Sequence, residues 1–334
     1  MVAVVHYERV SRPNRFSIER VAELLRNNLP SDIAVTVWYA GDGLRSWVGR
    51  WSDARAAVRA QGEVNHILGD AHYLGWLLDP RRTILTVHDT ESLDRMRGLR
   101  RAVFRYLWYT LPLARCAKVV TISQATRDSL LRHVSVPEHR LVVIPDPVAP
   151  LAGSEGRSDE ARSRPRRILH IGTKTNKNLV NHVAALAGLD VELWVVGRLD
   201  TAQRVLLDAS SFKYKNFVNI TEVELGRLYR EADCLLFASL VEGFGMPVVE
   251  AQLIGLPVVT SNLSSLPEVA GEGALLVDPR DPEAIRAAVK QVLTDPDLRA
   301  WLVAAGRDNA RRFAPATVAE SYARLYRQVA ATAA

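Results

Sequence analysis

The chain reads as an α/β protein built from two Rossmann-like parallel-sheet domains facing a central cleft. Three observations predict this. Short apolar runs alternate with helical patterns in two successive series. A Gly-, Ser-, Pro- and charge-rich stretch at 150–166 separates the series. The 334 residues suffice for two cores of ordinary size. Strand–helix alternation with short connections gives parallel strands covered on both faces. Ligands of such sheets bind beyond the carboxyl ends of the strands, so chemistry is expected there.

In the first half, strands are expected at VAVVHY (2–7), IAVTVWYA (33–40), TILTVHD (83–89), KVVTIS (118–123) and LVVIPD (141–146). Helical periodicity lies between them, as in SIERVAELLRNNL (17–29) and SQATRDSLLRHV (123–134). After the linker the alternation restarts with RILHIG (167–172), VELWVVG (191–197), FVNIT (217–221), CLLFA (234–238), PVVTS (257–261) and ALLVD (274–278). Residues 283–294 and 297–312 have strong helical periodicity. The domain boundaries this suggests are 1–150, a linker at 151–166, and 167–315. A last helix, about 316–330, is a candidate to pack back on the first domain.

Composition narrows the class. The 48% apolar content is that of a globular protein, and no apolar run approaches the roughly 20 residues of a membrane span. The opening MVAVVHY looks like a first strand and not a signal peptide. Cys116 and Cys234 are far apart and lack metal-ligand spacing, which makes a reduced, cytoplasmic setting the default. The net charge of +6 lies wholly in the first half: residues 1–150 hold 21 Lys+Arg against 15 Asp+Glu, and residues 151–334 hold 22 against 22. Much of the excess falls in 95–118, where arginines interleave with Phe104, Tyr106, Trp108 and Tyr109. That stretch reads either as a surface for an anionic membrane, peripheral on its inner face, or as a solvated helix with one core-facing stripe. No recognised motif accompanies the charge to suggest nucleic acid.

The most informative segment is 241–251, VEGFGMPVVEA. CLLFA reads as a buried strand and PVVEAQLIG as a short helix, with Pro247 in its first turn and Gly255 at its end. Strand, glycine loop and helix N-terminus together favour an anion, usually phosphate. Glu242 and Glu250 flank that turn, which suits a phosphate-bearing ligand that also has hydroxyls to be held. Other polar residues fall at strand ends: His88 and Asp89, Ser123, Gly172 with Lys174 and Lys177, and Gly197 with Arg198. Only six residues are lysine, and two of them lie in the loop GTKTNKNL. A lysine ammonium is a compact charge suited to phosphate oxygens. For Lys174 a ligand contact and a solvated loop charge both stay open.

These motifs resemble the retaining GT-B glycosyltransferases of the family-four type. The likeness rests on Glu242 and Glu250 as an E-x7-E pair around EGFGMP, on GTKTNKNL (172–179), LYREADCLLFAS (228–239) and LPEVAGEGALLVDPRDPEAI (266–285). TVHD (86–89) and TISQATRDSLL (121–131) support it upstream. The resemblance implies transfer of a hexose-type sugar from a UDP- or GDP-linked donor to a hydroxyl acceptor, lipid-linked, saccharide or small molecule. It implies no cofactor beyond that co-substrate, and no metal.

It also implies roles. Glu242 would contact the transferred sugar, assisted by backbone N–H groups of Gly243, Phe244 and Gly245, with Met246 opening the helix behind them. Glu250 would hold the ribose. Lys177 would neutralise the diphosphate, with Gly172, Thr173, Lys174 and Arg198 nearby, and Val218 and Asn219 would neighbour the base. His88 would sit across the cleft near sugar and acceptor, orienting and not acting as the essential base. Asp89 and Ser123 are acceptor-side candidates.

The chain also departs from the family pattern. HYERVSRPNR (6–15) lacks the glycine-rich loop usual after the first strand, and the loop from Gly172 to Lys177 lacks the usual arginine, which Lys174 could replace. Three alternatives stand against this reading. A non-catalytic GT-B partner subunit is disfavoured by the intact set His88, Lys177, Glu242 and Glu250. A dinucleotide oxidoreductase lacks its G-x-G-x-x-G. A nucleotide-sugar epimerase would need a further acid or base at the sugar ring.

Overall fold

The computed structural model describes residues 1–9, 17–41, 46–156 and 166–333, so much of the loop 6–15 and of the linker 151–166 lies outside the described residues. The chain forms two compact units, Met1–Pro147 with Ala314–Ala334, and Val148–Phe313. The first holds β1 (Val2–Arg9), β2 (Ile33–Ala40), β3 (Val64–Ile67), β4 (Thr83–Val87), β5 (Lys118–Thr121) and β6 (Leu141–Val143). These form one parallel sheet in the order β2-β1-β3-β4-β5-β6. The second holds β7 (Arg166–Ile171), β8 (Val191–Val196), β9 (Lys213–Phe217), β10 (Cys234–Phe237), β11 (Val258–Ser261) and β12 (Leu275–Val277). Its parallel order is β12-β11-β10-β7-β8-β9. Strand order therefore reverses between β1 and β3 in one sheet and between β7 and β10 in the other. At such a reversal the two following connections leave in opposite directions and open a crevice at the strand ends.

Each sheet buries apolar side chains on both faces, which is why its strands read as continuous apolar runs. Two strands depart from the sequence reading. β3, VNHI, was not expected, because two of its four residues are polar. All four are nonetheless buried, with Asn65 Oδ1 accepting from Tyr7 Oη at 3.4 Å and from the Gly62 N–H at 3.2 Å. The expected strand FVNIT is instead KYKNF, four residues earlier. β9 is an edge strand whose charged residues face solvent, so it lacks the apolar signature.

The helix Pro315–Ala333 belongs to the first unit and buries Val318, Tyr322, Tyr326 and Val329 in one core with Val4, Val64, Ile84 and Val120. Tyr326 Oη lies 3.0 Å from His6 Nε2 and 2.7 Å from His66 Nδ1, and His66 Nε2 lies 2.7 Å from Thr86 Oγ1. Burial pushes the His6 imidazole down to about 3, and pushes that of His66 well below its ordinary value, so both are neutral hydrogen-bonding groups. Among the described residues no helix is long and apolar enough to cross a membrane, and Cys116 and Cys234 are buried free thiols.

Tyr326→Phe should leave buried imidazole nitrogens without a partner and cost about 1–3 kcal/mol of stability in urea unfolding. Acid should act through the same groups. His6, His66, His72, His170 and His182 all titrate lower folded than unfolded, chiefly through burial. The unfolded chain therefore binds more protons below its imidazole range, near 6.5. Their stabilisation is present above that pH and lost as pH falls toward the folded values. His88, which titrates higher when folded, works the other way, one group against five. The urea midpoint should be flat near pH 7 and fall steadily from pH 6.5 to pH 4.

Candidate functional site

The loops that follow β7 and β10 meet at the strand reversal of the second sheet. Gly172 opens the first with φ +89°, a left-handed conformation that disfavours any side chain. A Cβ there would also lie 3.0 Å from the Lys177 stem, so the glycine lets that side chain fold back over the strand end. A single turn at Thr175–Lys177 leads to Asn178, itself left-handed at φ +63°, where the helix Leu179–Leu186 begins. Asn178 Nδ2 donates to Ala238 O at 3.0 Å and to Pro279 O at 2.6 Å, binding this loop to the ends of β10 and β12. Leu240 N–H donates to Asn176 O at 2.8 Å, and Asn176 Nδ2 to Val241 O at 3.0 Å.

Across that seam Lys177 Nζ donates to Glu242 Oε1 at 2.6 Å and lies 4.6 Å from the Phe237 ring centroid. The cation expected at phosphate and the acid expected at sugar thus form an ion pair. Glu242 N–H donates to Ser264 Oγ at 3.0 Å. Ser265 Oγ donates to the carbonyls of Glu242 at 3.0 Å and Phe244 at 2.8 Å. Gly245, at φ +105°, ends the turn and opens the helix Met246–Ile254, with Pro247 in its first turn and a left-handed Gly255 at its end. Phe244 buries its ring edge-on against Phe313. Glu250, one turn into the helix, is buried, and its Oε2 accepts from Tyr229 Oη at 2.7 Å.

The remaining donor-side candidates surround this seam. Thr173 Oγ1 donates to Arg198 O at 2.6 Å, and Thr173 O accepts from Gln203 Nε2 at 2.7 Å. The side chains of Lys174 and Arg198 are exposed. A cavity of about 530 Å³ adjoins the loop at Lys174, Asp200 and Gln203, but neither Lys177 nor Glu242 lines it. Val218 and Asn219 lie just past β9, not within it, and both are exposed.

In the first unit His88 follows β4 directly. Its Nδ1 forms an ion pair with Asp146 Oδ1 at 3.7 Å, and its buried Nε2 meets no hydrogen-bond partner among the described residues. Burial lowers the His88 imidazole, but Asp146, Asp70 and Asp89 outweigh it and raise it above its ordinary value. Loss of hydration, with the Asp70 and Glu91 charges, raises the Asp89 carboxyl although the residue reaches solvent. Ser123 is buried as a helix N-cap, with Oγ accepting from Thr126 N–H at 3.0 Å. Arg9, at the end of β1, is held by Glu19 at 3.1 Å and Asp70 at 3.0 Å.

The sequence reading missed Asp146, Asn178, Tyr229 and the Ser264–Ser265 pair. Asp146 carried one signal, an acid at the end of an apolar run; the others act through partners remote in sequence. The segment 95–118 is a helix over most of its length. Residues 98–114 are helical throughout, with a wider turn at Tyr106–Thr110, and Trp108 and Tyr109 are core residues, as in the reading of a solvated helix with one core-facing stripe.

The pattern of the glycosyl transferases group 1 matches residues 157–309, and that of glycosyltransferase family 4 matches residues 33–150. The O-antigen chain mannosyltransferase RfbU of Salmonella typhimurium is 26% identical over 233 residues, 65% of this chain, and the match spans 62% of that relative's length. Among solved structures, sucrose-phosphate synthase of Thermosynechococcus elongatus superposes with a TM-score of 0.75 at 18% identity, covering 99% of this chain and 100% of that one. Anabaena Alr3699/HepE, solved with UDP and glucose, gives 0.74 at 15% identity, covering 97% and 99%. The chain belongs to the GT-B glycosyltransferases of the family-four type.

Gly245→Ala tests the turn that carries Glu242. A Cβ at this positive φ would lie 2.6 Å from Leu266 Cδ2. Backbone strain alone predicts a loss of about 1–2 kcal/mol in thermal or urea unfolding, with the Leu266 contact adding to it.

Proposed function

We propose that the protein is a retaining glycosyltransferase that moves a hexose-type sugar from a nucleotide diphosphate donor to a hydroxyl acceptor. The observation that carries this is the Lys177–Glu242 pair at the strand reversal, beside the N-terminus of the helix Met246–Ile254. Departure of the nucleotide develops negative charge on the β-phosphate. An ammonium and a helix N-terminus there stabilise that charge more in the transition state than in the ground state. The reading needs no metal, because these groups supply the positive charge. Glu242 is then released from Lys177 to hold hydroxyls of the transferred sugar, and Glu250, fixed by Tyr229, holds the ribose.

Retention without a protein nucleophile follows if the leaving phosphate accepts the acceptor's proton on the same face. His88 then orients the acceptor and does not serve as the base. The mannosyltransferase and the structure solved with UDP-glucose among the similar proteins support a nucleotide-linked mannose, such as GDP-mannose, and UDP-glucose as the donors to try first. The reading as a non-catalytic subunit is weaker, because Lys177, Glu242 and Glu250 are all present.

Calorimetry with UDP and GDP should show Glu242→Ala binding nucleotide nearly as the wild type does while transfer is lost. Lys177→Ala should weaken nucleotide binding at least tenfold, which is about 1.4 kcal/mol. Normal transfer by Glu242→Ala would refute the assignment.

The reading extends to a cytoplasmic protein peripheral on an anionic membrane. Leu99, Val103 and Tyr106 form one exposed apolar row, with Arg95, Arg97, Arg100 and Arg105 exposed around it. On a neighbouring helix Trp47 and Trp51 are also exposed, with the Arg50 guanidinium between the Trp47 and Trp108 rings. Flotation with anionic liposomes at low salt should carry the chain upward, and Leu99→Asp with Tyr106→Ser should abolish it. No flotation of the wild type would leave this face an ordinary domain surface.

A further inference from the structure

His88 and Asp146 stand together at the ends of β4 and β6, from parts of the chain 58 positions apart. Both side chains are nearly closed to solvent, at 10% and 7% exposure. A buried imidazole has two nitrogens to satisfy, and an unpartnered one costs free energy unless a ligand completes it. His66 shows the ordinary solution, with neutral hydroxyl partners on Tyr326 and Thr86. His88 differs: one nitrogen faces a carboxylate, and the other has no partner among the described residues. Its ring therefore faces a carboxylate on one side and keeps a buried nitrogen without a partner among the described residues on the other.

We propose that Asp146 is a positioning residue for the transfer reaction: its carboxylate faces His88 Nδ1 at 3.7 Å and orients the ring, so that Nε2–H donates a hydrogen bond to a substrate oxygen. This rests on the glycosyltransferase reading. His88 gives up no proton in this role, and the hydrogen bond orients the oxygen while the leaving phosphate takes the acceptor's proton. The charges around the ring agree. Asp146, Asp70 and Asp89 all favour the cation and together outweigh burial, while Arg9 is occupied by Glu19 and Asp70. The nearby imidazoles of His66 and His72 are held neutral by their own burial, and Tyr322, which also feels Asp146, stays protonated. A hydrogen bond from a cation is stronger than one from a neutral imidazole.

The sign of the pH dependence follows. His88 must be protonated, so activity should be constant below its folded titration point and fall as pH rises through it. Asp146→Asn keeps the shape and removes the charge, and should move that basic limb to lower pH by about one unit or more. His88→Gln replaces the titrating donor with a permanent one, so its lower rate should lack the limb altogether.

The experiment uses the full chain and two readouts. Hydrolysis of UDP-glucose or GDP-mannose, whichever stabilises the chain more against heat, gives the pH–rate profile without knowledge of the acceptor. Histidine-labelled NMR, with His88 assigned from the His88→Gln spectrum, gives the imidazole titration without any turnover. Support is a His88 titration and a basic limb that both shift down in Asp146→Asn. An unmoved titration overturns the proposal, and so does a basic limb that persists in His88→Gln. The second variant decides the question if Asp146→Asn does not fold. Absence of hydrolysis at every pH in the wild type would sink the transferase reading and the substrate half of the proposal with it. The NMR titration would still decide whether Asp146 governs His88.

Discussion

Lys177 and Glu242 meet because the second sheet reverses its strand order between β7 and β10, and most of the local structure serves that meeting. The chain must turn sharply at the end of each strand, so left-handed residues stand at Gly172, Asn178 and Gly245. The ammonium must reach back over the sheet, so a side chain at position 172 would be strained and would press on the Lys177 stem. The glutamate must face it, so Ser264 and Ser265 hold the backbone of its turn from behind. Asn178 binds both loops to the sheet through two carbonyls. A 2.6 Å ion pair joins the two side chains, and each orients the other.

The first unit repeats the sheet plan but solves a different electrostatic problem. Its interior contains several histidines, and the partner of each decides its charge. Where hydroxyls are the neighbours, as at His6 and His66, burial prevails and the ring is neutral. At His88 the charges of Asp146, Asp70 and Asp89 together outweigh burial and hold the ring toward the cation. The helix Pro315–Ala333 supplies the Tyr326 hydroxyl, so the neutral half of this arrangement depends on the last segment of the chain.

Legibility in the sequence followed burial. Strands buried on both faces, such as β10, wrote themselves as apolar runs, and the edge strand β2, uncharged throughout, matched its expected limits residue for residue. β3 did not, because Asn65 and His66 are buried by virtue of hydrogen-bond partners far along the chain. β9 did not, because an edge strand keeps its charges in water. At the site, Glu242, Glu250, Gly245 and Pro247 were readable from spacing and turn chemistry within a dozen residues. Tyr229 beside Glu250 and Asp146 beside His88 were not, since each pairing joins different elements. Trp108 and Tyr109, grouped by sequence with a basic surface, are core residues. An aromatic residue's neighbours in the chain do not decide which way the helix turns it.

The sequence by itself determined the alternation of strands and helices, the glycine turn with its two acids, and the family resemblance those motifs carry. Each depends on interactions within a turn or two of chain, where residue type sets backbone conformation directly. Only the tertiary structure decided that Lys177 is paired with Glu242, that Glu250 is fixed by Tyr229, and that His88 is backed by Asp146. Those pairings are set by sheet order and by which helix covers which face. Charge and hydrogen bonding act across space at a few ångströms, while the residues concerned lie from 21 to 65 positions apart.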